Sequence, residues 1–198
     1  VILFLSHARK NHAIKRILLF LSINYTNKII YISTLSMCSL FHSKYTQNKL
    51  EEEKIVEKFN RWSIIRTGFV DYSYNNSYSS IFSDKKGKEI MFLIGGNLKT
   101  YFIFLPNLLK FINVNINSND KNKKYLIYYS ALTIIDYFRI KRFKGFSINI
   151  YIPKLFFLSK LFNFFREFIP SFVQSFFSLY FMKLDIDADK SYILMKKN

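Results

Sequence analysis

Cysteine is almost missing from this chain of 198 residues: Cys38 stands alone, so no disulfide can form within it. Nothing in that usage points to the disulfide frameworks of small secreted domains. Histidine is scarce too, and His7, His12 and His42 have no cysteine or carboxylate at metal-ligand spacing, so no metal site is expected. Unbroken apolar runs are absent. The most apolar stretch, residues 155–181, is interrupted by Lys160, Arg166, Glu167 and Pro170, short of the roughly 18 residues a membrane span wants. At the start of the chain Arg9 and Lys10 follow the apolar part instead of preceding it, the reverse of a signal peptide. Glycine numbers only 5, and no Gly-x-x-Gly-x-x-Gly turn occurs, which removes the usual way for backbone N–H groups to meet a pyrophosphate.

What the chain does have is bulk and positive charge. Half of it is hydrophobic and 19% aromatic, which excludes a disordered polymer and allows one cored domain with a small appended lobe. The formal charge is +17, from 30 Lys+Arg against 13 Asp+Glu. One reading is a basic, aromatic-rich protein that binds nucleic acid or an anionic membrane surface, with residues 121–124 and 139–144 as its densest cation clusters. The other is compositional bias toward Lys, Asn, Ile, Phe and Tyr. The cations are spread thinly along the chain, which favours bias, and no nucleic-acid partner is expected.

Apolar patterning organises the chain into alternating elements. Residues 1–5 and 28–32 read as buried strands, 12–23 as a helix with Ile14, Ile17, Leu18 and Ile23 near helical spacing, and 45–59 as a second helix. Residues 62–65 form a third short strand. Strand, helix, strand, helix, strand with brief connections predicts parallel pairing through crossovers. Beyond them the spacing predicts a loop at 72–80, strands at 90–94 and 101–105, a helix opened by Pro106 over 107–112, and a polar loop at 115–124. A strand at 125–129, a helix at 132–138 and a strand at 146–152 follow. Two helices split by Pro170 then form the core of a small lobe rather than a membrane anchor.

Tyr45 and Lys49 stand one helical turn apart, a phenol and an ammonium on one face. A nearby cation favours the phenolate, so the phenol is expected below its ordinary value of about 10 and able to exchange a proton with a hydroxyl or carbonyl. The spacing itself is common here: 14 tyrosines and 23 lysines yield about 1.6 such pairs by chance, and the chain holds three, the others being Tyr137/Lys141 and Tyr192/Lys196. Context singles out Tyr45/Lys49. Only this pair follows a buried strand ending in Ser33-Thr34 and precedes one ending in Arg66-Thr67-Gly68.

That context resembles the extended or atypical short-chain dehydrogenase/reductase superfamily, the NAD-dependent epimerases and dehydratases of nucleotide sugars. In that family a strand ends in paired hydroxyls, Tyr-x-x-x-Lys follows with a glutamate four residues on (here Glu53), and the next strand ends in Arg-Pro-Gly. The resemblance implies that Tyr45 is the acid/base, that Lys49 tunes it and holds a nicotinamide ribose, and that Thr34 orients the substrate. It further implies that Ser6, Ser33, Tyr45, Lys49, Thr67, Gly68 and Phe69 line NAD or NADP. Weaker likeness extends to residues 1–8, 95–109 and 125–153.

Departures are visible. Thr67 replaces the usual proline, Tyr72 a glycine and Asn107 an aspartate, and the phosphate-binding turn is not in the sequence. The expectation is therefore an α/β fold: a truncated Rossmann-like parallel sheet with helices on its faces, plus a small C-terminal α+β substrate lobe. Residues 1–72 would be the catalytic half of a dinucleotide-binding domain, 73–182 the lobe with remaining strands, and 183–198 a basic tail. Expected partners are a nucleotide-sugar substrate and a second copy through the helix at 45–59, in the cytoplasm, with cofactor grip weakened by the missing turn.

Overall fold

A computed structural model of the chain describes residues 1–5, 11–24, 27–71, 90–94, 98–128, 130–133, 146–150, 153 and 155–182. Its centre is a parallel sheet of four strands in the order β1-β2-β3-β7, comprising β1 (Ile2–Leu5), β2 (Ile29–Thr34), β3 (Trp62–Thr67) and β7 (Lys123–Ile127). Strand β2 lies inside the sheet, and its β-branched and aromatic run Ile-Ile-Tyr-Ile fits a surface covered on both sides. The register aligns the carboxyl ends: Thr34 lies beside Thr67, and Thr67 beside Ile127.

Helices cover both faces. On one side α1 (Asn11–Asn24) and α2 (Lys44–Val56) pack with Leu18, Val56 and Phe59 against Ile29, Tyr31 and Ile64. On the other, α3 (Leu105–Asn117) lays Leu108, Phe111 and Ile112 on Ile30, Ile65, Tyr125 and Ile127. Alternate residues of β2 thus serve opposite cores, as strand geometry requires. At the far end of the sheet, Lys28 is buried and its Nζ donates to the carbonyls of Asn115 (2.5 Å) and Ser118 (3.3 Å), satisfying the last turn of α3.

Two small sheets lie beyond the main one. β4 (Phe69–Asp71) runs parallel to β6 (Lys99–Phe104), and β8 (Ser130–Thr133) pairs with β6 antiparallel. β5 (Ile90–Ile94) pairs parallel with β9 (Phe146–Ile150). The C-terminal portion is a broken helical stretch: a 3-10 turn at Phe156–Leu158, α4 (Ser159–Phe164), a second 3-10 turn at Arg166–Phe168, and α5 (Ser171–Tyr180) after Pro170. Among the described residues, no helix is long and apolar enough to cross a membrane.

Several expectations shift. Leu132 and Thr133, assigned to a helix, belong to strand β8, where Leu132 pairs with Thr100; β6 takes a neighbour there, and this pairing overrides local propensity. Residues 134–138 of that expected helix lie outside the described residues, as do Ser6, the loop at 72–80, the cations at 139–144 and the tail at 183–198. The expected polar loop at 115–124 shrinks, because α3 continues to Asn117 and β7 starts at Lys123. Asn122 turns the chain there with φ 56°, and its amide and side chain bond Trp62 O (2.9 Å) and Trp62 N (3.2 Å). The helix expected to carry a homodimer contact shows Lys44, Tyr45, Glu51, Lys54 and Glu57 to solvent, an outer face with a single aromatic and no apolar stripe.

Candidate active site

The connection from β2 to α2 carries the chemistry-bearing residues, and hydroxyls shape it. Thr34 ends the strand and caps the 3-10 turn Leu35–Cys38, its Oγ1 accepting from the Ser36 amide at 3.2 Å. Ser43 caps α2 by accepting from the Thr46 amide at 3.2 Å. Between the caps a chain of hydroxyls runs Thr34–Ser36–Thr46–Ser43, with successive oxygens 3.2, 3.0 and 3.0 Å apart. The two caps therefore share one network, which fixes the start of α2 relative to the end of β2. Tyr45 sits in that first turn.

The C-terminal stretch holds the same connection from outside. Phe41 is fully buried in a cluster with Leu98, Tyr180 and Phe181. Asn163 brackets it, accepting from the His42 amide at 3.0 Å and donating to the Leu40 carbonyl at 2.7 Å. Gln174 accepts from the Lys44 amide at 2.9 Å, one of the N–H groups that a helix start leaves without an intrahelical acceptor. Burial pushes the His42 imidazole below its ordinary value, more than the Ser39 backbone raises it.

Below its first turn α2 turns a polar stripe toward the sheet. Thr46, Lys49, Glu52 and Glu53 are buried along with Val56, at helical spacing. Two ionic groups result. Tyr31 of β2 donates to Glu52 Oε2, while Lys49 Nζ lies 3.0 Å from Tyr31 Oη, 3.4 Å from Glu52 Oε2 and 5.0 Å from the centre of the Tyr31 ring. Glu53 accepts from Ser33 Oγ (2.5 Å), Arg66 Nε (3.1 Å) and Arg66 Nη2 (2.8 Å). The fork of Arg66 on one carboxylate is a strong, directional contact, and it ties β3 to α2. Buried charges survive only when so partnered.

Thr34 ends β2, and Tyr45 and Lys49 lie one turn apart at the start of α2; Lys49 is buried, whereas Tyr45 is 43% exposed. Ser33 and Thr67 are buried on neighbouring strands, Thr67 Oγ1 lying 3.5 Å from Ser33 O. The Ser33 hydroxyl is committed to Glu53. Gly68 follows Thr67, and a Cβ there would strike the carbonyl of Tyr101; glycine is required by the close approach of β6, while its amide donates to Ile127 O at 3.3 Å. Phe69 on β4 is exposed.

Tyr45 departs from expectation. Its phenol, on a side chain that is only partly covered, is pushed above the ordinary value, first by that partial burial and then by the Glu52 carboxylate. The expected lowering by Lys49 is not among the causes; the Lys49 ammonium lies against Tyr31 and Glu52 instead. Burial depresses Lys49 itself, against the upward pull of Glu52 and Glu53. Glu52 and Tyr31 are the functional candidates that sequence reading missed. The available signal was spacing: Glu52 stands three residues after Lys49 and four before Val56, on the inward stripe.

Of the two cation clusters, only 121–124 lies among the described residues. Lys123 pairs with Asp120 at 2.7 Å and Lys124 with Glu57 at 2.6 Å.

No protein-family model matches the sequence, and no curated protein matches it significantly. Solved structures do. The Bordetella bronchiseptica enzyme WbmG in complex with NAD superposes with TM-score 0.57 at 8% identity, over 78% of this chain and 58% of that one. dTDP-4-dehydrorhamnose reductase from Bacillus anthracis in complex with NADP gives 0.55 at 16%, over 71% and 56%. UDP-glucuronic acid 4-epimerase from Bacillus cereus in complex with NAD gives 0.52 at 15%, over 73% and 56%. The fold is Rossmann-like. At these identities the likeness is one of architecture, and the chain spans between half and two thirds of those proteins' length.

Proposed function

We propose that the chain carries the catalytic half of an NAD(P)-dependent oxidoreductase acting on a nucleotide-activated sugar, of the epimerase, dehydratase or reductase kind. The observation that carries this reading is the order of parts at one sheet edge. Hydroxyls end β2, Tyr45 and Lys49 follow on the capped helix, and β3 ends in Thr67-Gly68, within a fold shared with sugar-nucleotide enzymes solved with NAD or NADP. In open α/β sheets, ligands lie beyond the carboxyl ends of the strands, and Thr34 and Thr67 stand side by side at two of those ends.

The residues suit the nicotinamide half of such a cofactor. Lys49 is a buried ammonium one turn from Tyr45 at the start of α2. The sequence holds no glycine-rich turn for the pyrophosphate. When bound, a nicotinamide would supply hydride exchange. The chain's own part is proton transfer and orientation. Tyr45, its phenol raised by burial and by Glu52, is held protonated and serves as an acid toward a sugar oxygen. Thr34 offers a hydroxyl to the same oxygen, its own position set by Ser36. Lys49 balances the phenolate once the proton has left, with Glu52 and Tyr31 holding its ammonium in place.

Conversion of a panel of UDP- and dTDP-sugars with NAD or NADP, followed by product NMR, tests the reading. Tyr45→Phe is expected to lower kcat by about 100-fold or more with the fold intact. Undiminished turnover by Tyr45→Phe contradicts the assignment.

A further inference from the structure

The stretch from the first C-terminal 3-10 turn to Pro170 has two apolar sides. Leu158, Phe162 and Ile169 face inward, onto the cluster around Phe41 and Phe181. Phe157, Leu161, Phe164 and Phe168, spaced four, three and four residues apart, form an outer side with exposures of 74%, 52%, 80% and 84%; Phe165 adds 46%. Leu161 and Phe164 share a face of α4, and Phe157 and Phe168 lie in the 3-10 turns on either side of it. Single exposed apolar residues are ordinary, but five large ones within twelve residues, four of them aromatic, are of the kind that marks an interaction surface. Of the aromatics expected in the lobe's core, the inner ones are there and the outer ones are not.

Charge identifies the occupant. Residues 153–182 carry Lys154, Lys160 and Arg166 against the single carboxylate Glu167, and Glu167 is neutralised by Arg166 at 3.5 Å. The chain as a whole carries +17. A second copy would bring the same sign of charge to the same face and be repelled. A surface that is apolar beneath and anionic above matches both features.

We propose that residues 156–168 form a membrane-surface anchor, with Phe157, Leu161, Phe164 and Phe168 entering the headgroup–acyl boundary of an anionic bilayer and Lys160 meeting its phosphates. The segment is short and broken by 3-10 turns and Pro170, so it lies on the surface and does not span. Bound this way, the anchor sits directly outside the β2–α2 connection, because Asn163 and Gln174 hold that connection from the same stretch. The proposal is independent of the oxidoreductase reading.

Co-sedimentation of the full chain with phosphatidylglycerol–phosphatidylcholine vesicles, and with phosphatidylcholine alone, tests it. Binding to the anionic vesicles is expected to weaken at least about tenfold in the triple variant Phe157→Ser/Phe164→Ser/Phe168→Ser, and to weaken as salt rises from about 50 to about 500 mM. A Phe168→Trp variant reads insertion directly through a blue shift of emission beyond that of Trp62, whatever the fate of the triple variant. Absence of vesicle binding, equal binding by the triple variant, or no blue shift overturns the proposal. So does a dimer at sedimentation equilibrium that the triple variant abolishes, which would make the face a self-contact.

Discussion

The β2–α2–β3 unit and the C-terminal stretch invert the usual distribution of residues in opposite ways. The first puts an ammonium, two carboxylates and a guanidinium under a helix; the second puts aromatic rings in water. Glu53, at 2% exposure, accepts three hydrogen bonds, whereas Phe168, at 84%, lies bare of the core. Burying charge and exposing rings each cost stability, so each marks a place where something besides folding set the residue. Their difference lies in completeness. Each carboxylate of the buried ionic group has a partner on a strand beneath, and the group acts as a fastening. The aromatic face is open, and it asks for a surface.

The largest effect that would sharpen this contrast is Glu53→Ala. It leaves Arg66 and Ser33 facing an emptied site, with an expected loss of about 3–5 kcal/mol in denaturant unfolding. A loss below about 1 kcal/mol would mean that water replaces the carboxylate and that the group is no fastening. Next comes a matched pair of phenylalanines. Phe41→Ala, at a fully buried ring, is expected to cost about 3 kcal/mol, and Phe168→Ser to stay within about 0.5 kcal/mol. Equal costs would erase the distinction between inner and outer aromatics. The smallest effect is electrostatic. Glu52→Gln removes a negative charge that holds the Tyr45 phenol up, so that phenol is expected to titrate at lower pH, read as phenolate absorbance against a Tyr45→Phe blank. A rise instead would show Glu52 acting on Tyr45 only through Lys49.

Much of the architecture was legible because it rests on runs of one kind. Residues 29–32 could be little but a buried strand, 90–94 form the strand their sequence suggests, and Pro106 sits in the first turn of its helix. The unreadable parts depend on partners distant in sequence. The run Glu51-Glu52-Glu53-Lys54 looks like a solvated face, and only Tyr31 and Arg66 on the strands beneath explain why its two middle members are buried. Gly68 stood out as part of a motif, yet its necessity comes from the Tyr101 carbonyl on another strand. Leu132 carries helical neighbours in sequence and a strand partner in space. In the C-terminal stretch, Phe162 and Phe164 are alike in composition and differ only in which way a broken helix turns them. The candidate site was legible as positions: Thr34, Tyr45 and Lys49 were identifiable from spacing and context. Its electrostatics were not, since the direction of the Tyr45 shift depends on Glu52 and on burial.

The central claim is that the Tyr45–Lys49 turn of α2 is built to meet a nicotinamide riboside. Saturation-transfer NMR with reduced nicotinamide mononucleotide, the half of the cofactor that needs no glycine-rich turn, tests it most directly on the 198-residue chain. The account predicts transfer to the nicotinamide and ribose protons that is lost in Lys49→Met. No transfer, or transfer unchanged by Lys49→Met, would contradict it.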